Sequence, residues 1–278
     1  MIILLIALAV VLLLGGGGLI YYSAVFHPAQ LHMQATATAQ TMLTVQAQGT
    51  AAAHAQATGT AQAIANATAT VQAQATAQAM ATATALQSIY NQATSGTPAL
   101  NDPLTGNTAS HWSVYSDNGS TCAFTGGALH ASATAQAGGA LCPALASNFS
   151  NFAYQVKLTI LKGDLAGLLF RFDTANNKAY FFVISPDSSY ELFLLHSNSP
   201  DNGKILSSGR SSVIVPGLNQ SNLLTVIVRG SSIYLYINKQ YVVNLSDSTS
   251  SSGKIGVFGA SNGTDSDVAF NDAEVWNL

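Results

Sequence analysis

Charged residues are missing from the first third of this sequence. No Asp, Glu, Lys or Arg precedes Asp102 in the 278 residues, and the formal net charge of −3 conceals this asymmetry. The nine Lys and Arg residues are outnumbered by twelve Asp and Glu residues and are scattered along the remaining sequence. Proteins that bind nucleic acid carry a clustered basic patch or stripe. We therefore predict no nucleic-acid partner.

Glutamate is also scarce, which limits the enzyme classes to consider. The chain has only two glutamates, Glu191 and Glu274, far apart in sequence. A glycosidase needs two carboxyl groups flanking the bond that it cleaves, one of them kept protonated. Patterns typical of Ser-His-Asp hydrolases, metalloproteases and phosphate-binding loops are absent. The sequence thus favours a non-enzymatic protein, and an enzyme that uses Asp residues is the open alternative.

Cysteine occurs twice, at positions 122 and 142. Two cysteines with neither a CxxC spacing nor a flanking histidine pair do not indicate a zinc site. In an exported domain such a pair indicates a disulfide, which would stabilise the fold by roughly 3 kcal/mol. We predict a bridge between Cys122 and Cys142, with two buried free thiols as the alternative.

A long uncharged run occupies residues 2–26 and reads IILLIALAVVLLL, four glycines and LIYYSAVF. At about 1.5 Å per residue, a helix of this length crosses a ~30 Å hydrocarbon layer. Tyr21 and Tyr22 suit the far interface. The alternative is a cleaved signal peptide with Ser23-Ala24 as a poor processing site. We expect residues 1–27 to form a transmembrane anchor in the cell membrane, single-pass, with the C-terminal domain extracellular.

From residue 28 to residue 94 the sequence is a low-complexity array of Ala, Thr and Gln. Ala and Gln favour helix, and Thr weakens it slightly because its χ1 is restricted. The sparse larger residues do not sustain a heptad seam, so a strong coiled coil is not predicted. We predict a helical stalk, with disorder as the alternative. Residues 95–110, with their prolines and glycines, form the predicted linker.

Short runs rich in β-branched and aromatic residues follow one another after residue 111. Gly, Asn and Ser turns separate them, and no helical period appears among them. Many short strands of this kind are typical of a sandwich or jelly roll. We therefore predict an all-β jelly-roll sandwich over residues 111–278. Within it, residues 165–195 are predicted to form a three-stranded antiparallel meander.

Residue alternation in the meander predicts its two faces. With an even first turn, the solvated face carries Arg171, Asp173, Lys178 and Tyr180. The opposite, core-facing side then carries Leu168, Phe170, Phe172, Phe181 and Val183. A saccharide offers hydroxyls to charged groups and an apolar ring face to an aromatic ring, so we predict that the first set binds carbohydrate. A surface ion pair between Arg171 and Asp173 is the alternative, worth under about 1 kcal/mol.

Residues 232–259, SIYLYINKQYVVNLSDSTSSSGKIGVFG, are followed by a last strand-like segment, VAFNDAEVWNL. This succession of a strand, an Asn-centred hairpin, a strand, an Asp-bearing loop and a Gly-x-Ile-Gly strand resembles the end of a concanavalin A-like lectin/glucanase domain, as in laminin G-like and 3-keto-disaccharide hydrolase-like modules. Residues 166–184, AGLLFRFDTANNKAYFFVI, resemble the central strands of that superfamily. The resemblance covers residues 112–278 and implies the fold, which hosts lectins, hydrolases and adhesion modules. The Glu-x-Asp-x-x-Glu motif of the family's glucanases is absent.

Together these features predict a membrane-tethered extracellular binding module whose favoured ligand is carbohydrate, including a cell-surface glycan. The alternatives are a glycan-processing hydrolase that uses Asp residues and a structural or adhesive module that binds protein. No cofactor is expected, although Asp265, Asp267 and Asp272 offer oxygens suited to Ca²⁺. Calcium takes about six to eight oxygen ligands, and this spacing is not that of an EF-hand. A solvated loop is the alternative reading of these aspartates.

Overall fold

The structure, a computed structural model, describes residues 27–107, 111–196 and 203–278. The predicted membrane anchor, residues 1–27, lies outside the described residues except for His27. In the part of the chain that is described, no helix is both long and apolar enough to cross a membrane. The chain divides into two compact units, the second of which runs from Ala79 to Leu278.

The Ala/Thr/Gln-rich stretch forms one α-helix, α1 (His27–Ala93). Its side chains are exposed from residue 30 to residue 85. Threonine hydroxyls along the helix donate to the carbonyl four residues earlier, as Thr58 does to His54 at 2.8 Å. These bonds give the threonine hydroxyls a partner within the helix. Of the two predicted alternatives, helix and disorder, this stretch forms the helix.

Among the described residues the remaining elements are fifteen strands, and all of their pairings are antiparallel. In chain order they are β1 (Leu100–Asp102), β2 (Tyr115–Asp117), β3 (Ser120–Thr125), β4 (Ala128–Ala133), β5 (Gly139–Pro143), β6 (Phe152–Lys162), β7 (Leu165–Asp173), β8 (Lys178–Ile184), β9 (Ser189–Leu195), β10 (Lys204–Arg210), β11 (Ser221–Arg229), β12 (Ser232–Ile237), β13 (Gln240–Ser246), β14 (Lys254–Ala260) and β15 (Ser266–Asn277). The larger sheet has the order β13-β12-β11-β6-β15-β4-β3-β2, with β1 paired to β15. The smaller sheet has the order β10-β9-β8-β7-β14-β5.

One apolar core lies between the two sheets. Side chains from β6, β11 and β15 of the larger sheet pack there with side chains from β7, β8 and β14 of the smaller sheet. Its largest fully buried members include Trp112, Tyr154, Phe170, Tyr180 and Phe270. This arrangement confirms the predicted all-β sandwich.

The predicted disulfide is present and joins the two sheets. Cys122 on β3 and Cys142 on β5 are bonded, with their Cα atoms 5.8 Å apart and a sequence separation of 20. Both side chains are fully buried in the core between the sheets. The bridge therefore fixes one side of the sandwich covalently.

The predicted meander is present as β7, β8 and β9, but its predicted faces are wrong. Tyr180 lies opposite Phe170, with ring centroids 5.2 Å apart, and both side chains belong to the core between the sheets. Phe181 and Val183 instead belong to an apolar cluster on the outer side of the smaller sheet. Because that sheet is apolar on both sides, alternation does not mark its faces. A β-bulge between Phe170 and Asp173 then resets the alternation.

The last turns of α1 pack against the outer side of the larger sheet. A buried cluster joins them and consists of Tyr90, Ala93, Ala153, Ile227, Tyr236 and Trp276. The Tyr90 hydroxyl donates a hydrogen bond to Gln155 Oε1 at 3.0 Å. The Tyr236 hydroxyl donates to the carbonyl of Leu86 at 2.7 Å. The end of α1 is therefore part of the folded domain.

The predicted linker, residues 95–110, contains strand β1, which pairs with β15. Trp276 Nε1 donates to the carbonyl of Gly96 at 3.2 Å, and Trp112 Nε1 donates to Asp102 Oδ2 at 2.9 Å. These contacts tie the segment to the sandwich, so the folded domain begins before residue 111.

Candidate functional site

The four residues predicted to bind carbohydrate do not share one exposed face. Arg171 is 1% exposed and Tyr180 is fully buried. Asp173 and Lys178 are half-buried at the β7–β8 turn. The Asp173 carboxylate accepts hydrogen bonds from amide groups of that turn, and Lys178 Nζ donates to the carbonyl of Thr249 at 2.9 Å. The binding role of the set stays a prediction, but the Tyr180 ring is not open to a sugar in this position.

Arg171 connects three loops at one end of the sandwich. It lies in the β-bulge with a φ of 49°, and its Nη2 donates to the carbonyls of Ser150 at 2.6 Å and Gly230 at 2.9 Å. Its Nη1 donates to the carbonyl of Ser250 at 2.8 Å. Burial lowers the pKa of Arg171. Among the described residues no carboxylate lies within 4.0 Å of this guanidinium, so its protein partners are neutral carbonyl oxygens.

Tyr180 supports one of these loops, the one between β13 and β14, from the core side. Its hydroxyl donates to the Asp247 carboxylate and accepts a hydrogen bond from the Ser250 amide at 3.2 Å. Burial, reinforced by the bond to Asp247, raises the pKa of Tyr180 to about 12. Burial acts to raise the pKa of Asp247. Hydrogen bonds from Tyr180 and Thr249 outweigh this effect, so the pKa of Asp247 is lowered. At neutral pH the phenol is therefore neutral and the carboxylate is charged.

A cleft of about 260 Å³ opens beside Arg171. We call it the arginine cleft, and its lining residues are Ser150, Asn151, Arg171, Gly230, Ser231, Ser248, Ser250 and Ser251. The lining is a cation surrounded by serine hydroxyls, one amide and peptide groups. One residue of the predicted set thus borders a cavity, but from the loop end of the sandwich and not from a sheet face.

A second pocket, of about 330 Å³, lies on the outer side of the larger sheet. Polar residues paired across four neighbouring strands contribute to it, with Asp267 on β15 opposite both Lys162 on β6 and Ser132 on β4, and Ser132 opposite Thr121 on β3. Asp265, from the loop before β15, also lines it. We call it the aspartate pocket, and its full lining is Gly119, Thr121, Ser132, Ala133, Thr134, Lys162, Asp265, Ser266 and Asp267.

Asp265 and Asp267 use only part of their hydrogen-bonding capacity within the protein. Asp265 Oδ1 accepts from the Ala135 amide at 3.1 Å, and Asp267 Oδ1 is 2.8 Å from His130 Nδ1. The Oδ2 atom of each aspartate has no hydrogen-bond partner among the described residues. Ser266 is only 3% exposed, and its Oγ is buried with no hydrogen-bond partner in the described part of the chain. Ser266 lies on the same side of β15 as Val268 and Phe270, so its hydroxyl points into the sandwich and away from the aspartate pocket. The two aspartates are the acidic groups of this pocket that a ligand can reach.

The three aspartates considered for calcium do not come together. Asp265 and Asp267 line the aspartate pocket, whereas Asp272 lies in a bulge of β15, 3.9 Å from Lys157 Nζ. Across residues 27–107, 111–196 and 203–278, no group of three or more His, Cys, Asp and Glu residues is placed to hold a metal ion. The trio therefore does not form the ligand set that calcium would need.

Comparison with solved structures identifies the fold. The sequence matches no family model and no curated protein. The carbohydrate-binding module CBM66 from Bacillus subtilis matches with a TM-score of 0.51 at 18% identity, over 63% of this chain and 100% of that chain. A protein of unknown function with a galectin-like fold from Bacillus subtilis matches with a TM-score of 0.50 at 15% identity, over 66% and 96%. The C-terminal domain has the concanavalin A-like lectin/glucanase fold.

Glutamates are not paired in this concanavalin A-like domain. Glu191 lies on β9 of the smaller sheet and Glu274 on β15 of the larger sheet. Glu274 accepts a hydrogen bond from Gln155 Nε2 at 2.7 Å, next to the docked end of α1. The two glutamates therefore do not flank a common substrate position.

Most residues of the aspartate pocket were missed by sequence reasoning. The segment ALHASA, which becomes β4, alternates small apolar and polar residues, and Ser132 takes its outward position. That alternation was a usable signal for a polar sheet face. The pairing of β4 with β15 could not be predicted from the sequence, because the two strands are more than a hundred residues apart. Register between distant strands is what brings Ser132 to Asp267.

Proposed function

We propose that this domain is a carbohydrate-binding module and that the aspartate pocket holds the sugar. The observation that carries the proposal is one pocket on the outer sheet face where Asp265 and Asp267 each keep a carboxylate oxygen without a hydrogen-bond partner among the described residues, beside Lys162. Sugar hydroxyls both donate and accept hydrogen bonds. Asp265 and Asp267 suit the donors of a polyol, and Lys162 suits its acceptors. A pocket with few but convergent polar groups is typical of small-molecule recognition.

Fold likeness supports the same proposal. One solved structure that shares this fold at a TM-score of 0.51 is a carbohydrate-binding module. Because one fold hosts many functions, the likeness alone does not assign one. The chemistry of the aspartate pocket supplies the separate argument.

Cleavage of the glycan is the second candidate, because two carboxylates line one pocket. A general acid of a glycosidase is a carboxyl group kept protonated by desolvation. Asp265 is exposed, and the Asp267 side chain is 32% exposed. Neither group has the buried setting that this role needs, so binding without cleavage is favoured. Release of reducing ends from a bound glycan would establish cleavage instead.

The membrane anchor is part of the proposal. The uncharged run at residues 2–26 supports a single-pass anchor, and the disulfide is typical of a domain outside the reducing cytosol. Helix α1 then connects anchor and domain along the sequence. Protease added to intact cells should remove the C-terminal domain. Protection in intact cells with cleavage after lysis would place the domain inside.

Glycan binding is tested with the full-length protein on a glycan array and then by calorimetry. The Asp265→Asn/Asp267→Asn variant should lose binding about tenfold or more, because each substitution removes a charge-assisted acceptor. Asp272→Asn is the matched control, since Asp272 lies outside the pocket. A wild-type protein that binds no glycan refutes the function. Equal loss in the control variant refutes the site.

A further inference from the structure

We propose that the arginine cleft is a second binding site and that it takes the carboxylate group of an acidic sugar such as a uronic acid. The cleft lies among the loops that Arg171 connects, and none of its lining residues belongs to the aspartate pocket. The proposal therefore does not depend on the carbohydrate site proposed above for the aspartate pocket.

The first argument is the charge of Arg171. Its side chain is almost completely buried, and its hydrogen-bond partners are the neutral carbonyls of Ser150, Gly230 and Ser250. Asp247, the acidic residue next to this network, is joined to it through the Tyr180 hydroxyl and not by an ion pair with the guanidinium. A buried charge without a counter-charge is costly, and an opposite charge brought to it is correspondingly favoured. A bound anion would supply that counter-charge.

The second argument is a free donor. A guanidinium has five N–H groups. In Arg171, Nε–H, one N–H of Nη1 and both N–H groups of Nη2 meet the carbonyls already named. The second N–H of Nη1 has no acceptor among the described residues. Arg171 lines the cleft, and a carboxylate oxygen is the strongest natural acceptor for a guanidinium N–H group.

The third argument is the shape and lining of the cleft. At about 260 Å³ it is slightly smaller than the roughly 300–1,000 Å³ of pockets for drug-sized ligands, so a single sugar residue is the appropriate size. Its lining is rich in residues that carry hydroxyl or amide groups, among them Ser231, Ser248, Ser251 and Asn151. Such groups pair with sugar hydroxyls, whereas a site for a bare inorganic anion would not need them.

The backbone conformation at Arg171 places its guanidinium among the loops. Its φ of 49° is rare for a residue with a long side chain, and positions of this kind are kept where the surrounding structure enforces them. At Gly253 a Cβ atom would lie 2.6 Å from the Arg171 carbonyl carbon, so this close approach requires glycine. The bulge directs the guanidinium out of the sheet and toward the loops. Without it, alternation would send the side chain to the core or to the apolar outer side of the smaller sheet.

The test uses the full-length protein, with glucuronate, glucose and acetate as probes at constant ionic strength. In the Asp265→Asn/Asp267→Asn background, which removes the other proposed site, glucuronate should raise the melting temperature saturably and glucose should not. Acetate should bind about tenfold or more weakly than glucuronate because it lacks the hydroxyls. If acetate matches glucuronate, the sugar-acid assignment is overturned.

Two variants locate the site. Ser248→Asp places a carboxylate at the cleft, so it should raise the melting temperature without ligand and abolish the glucuronate response. Ser248→Asn, which has the same size without the charge, should keep that response. A Ser248→Asp protein that responds to glucuronate like the wild type overturns the proposal. So does a wild-type protein with no saturable response to glucuronate. Neutral-glycan binding, measured separately with the Asp265→Asn/Asp267→Asn variant, reports on the other site.

Discussion

Opening the disulfide should weaken the sandwich by about 3 kcal/mol. Cys122 and Cys142 close a loop with a sequence separation of 20, and the chain-entropy relation gives about 3 kcal/mol for a loop of this size. A domain of roughly 150–250 residues loses about 2–4 °C for each kcal/mol. We therefore expect the melting temperature to fall by about 6–12 °C. The bridge contributes beyond backbone pairing because it joins β3 of the larger sheet to β5 of the smaller sheet.

Denaturant unfolding with and without a reductant measures this contribution directly. The reduced wild type keeps both sulfur atoms, so its loss of stability reports the cross-link alone. The Cys122→Ala/Cys142→Ala variant should lose more, because it also leaves cavities in a fully buried position. A change below about 0.5 kcal/mol on reduction would refute the reasoning, since the unfolded chain would then gain no freedom from opening the loop. Free alkylation of both thiols in the native protein without reductant would show that the bridge does not form.

Three further changes follow from particular contacts. Gly167→Ala should destabilise by several kcal/mol or prevent folding, since a Cβ there would lie 2.0 Å from the Phe182 carbonyl oxygen, whereas Gly106→Ala, with open space around it, should be near neutral in the same thermal melt. Tyr90→Phe should cost about 1 kcal/mol in denaturant unfolding, because it removes the bond to Gln155 and keeps the ring; an unchanged midpoint would contradict the docking of α1. Asp247 has a lowered pKa in the folded state, so its contribution is present above the unfolded value of about 3.9 and is lost as the pH falls through the folded value. Asp247→Asn should therefore flatten the loss of stability below about pH 4, and an acid melt identical to that of the wild type would count against this assignment.

Local composition accounts for the parts of the fold that were predicted. The Ala- and Gln-rich stretch forms a helix because those residues favour one, and short apolar runs between Gly, Asn and Ser turns form strands. The disulfide followed from the number of cysteines and an exported setting. The start of the sandwich did not, because β1 is only three residues long and its pairing with the distant β15 leaves no local mark.

The candidate sites depended on features that no short stretch of sequence reveals. The meander was predicted with Tyr180 outward, but the smaller sheet is apolar on both sides and a bulge follows Phe170, so alternation gave the wrong faces. Arg171 is a charged residue within an otherwise apolar stretch of β7. Its carbonyl partners come from three loops that lie up to 79 residues from it in sequence, so its burial was not predictable. The same holds for the aspartate pocket, where β6, β15, β4 and β3 must pair in one register before its side chains meet.

The substitution Asp267→Asn tests the proposed carbohydrate site most directly, because Asp267 lines the aspartate pocket and its side chain is 32% exposed. Its side-chain contact within the protein is the 2.8 Å hydrogen bond with His130, so the substitution should cost about 1 kcal/mol of stability or less. If the carboxylate serves a bound sugar, the same variant should bind the best glycan from the array about tenfold more weakly in calorimetry. Weaker binding with only this small loss of stability is the result that this account predicts. Unchanged glycan affinity in Asp267→Asn, or a loss of binding that only accompanies a larger loss of stability, would contradict it.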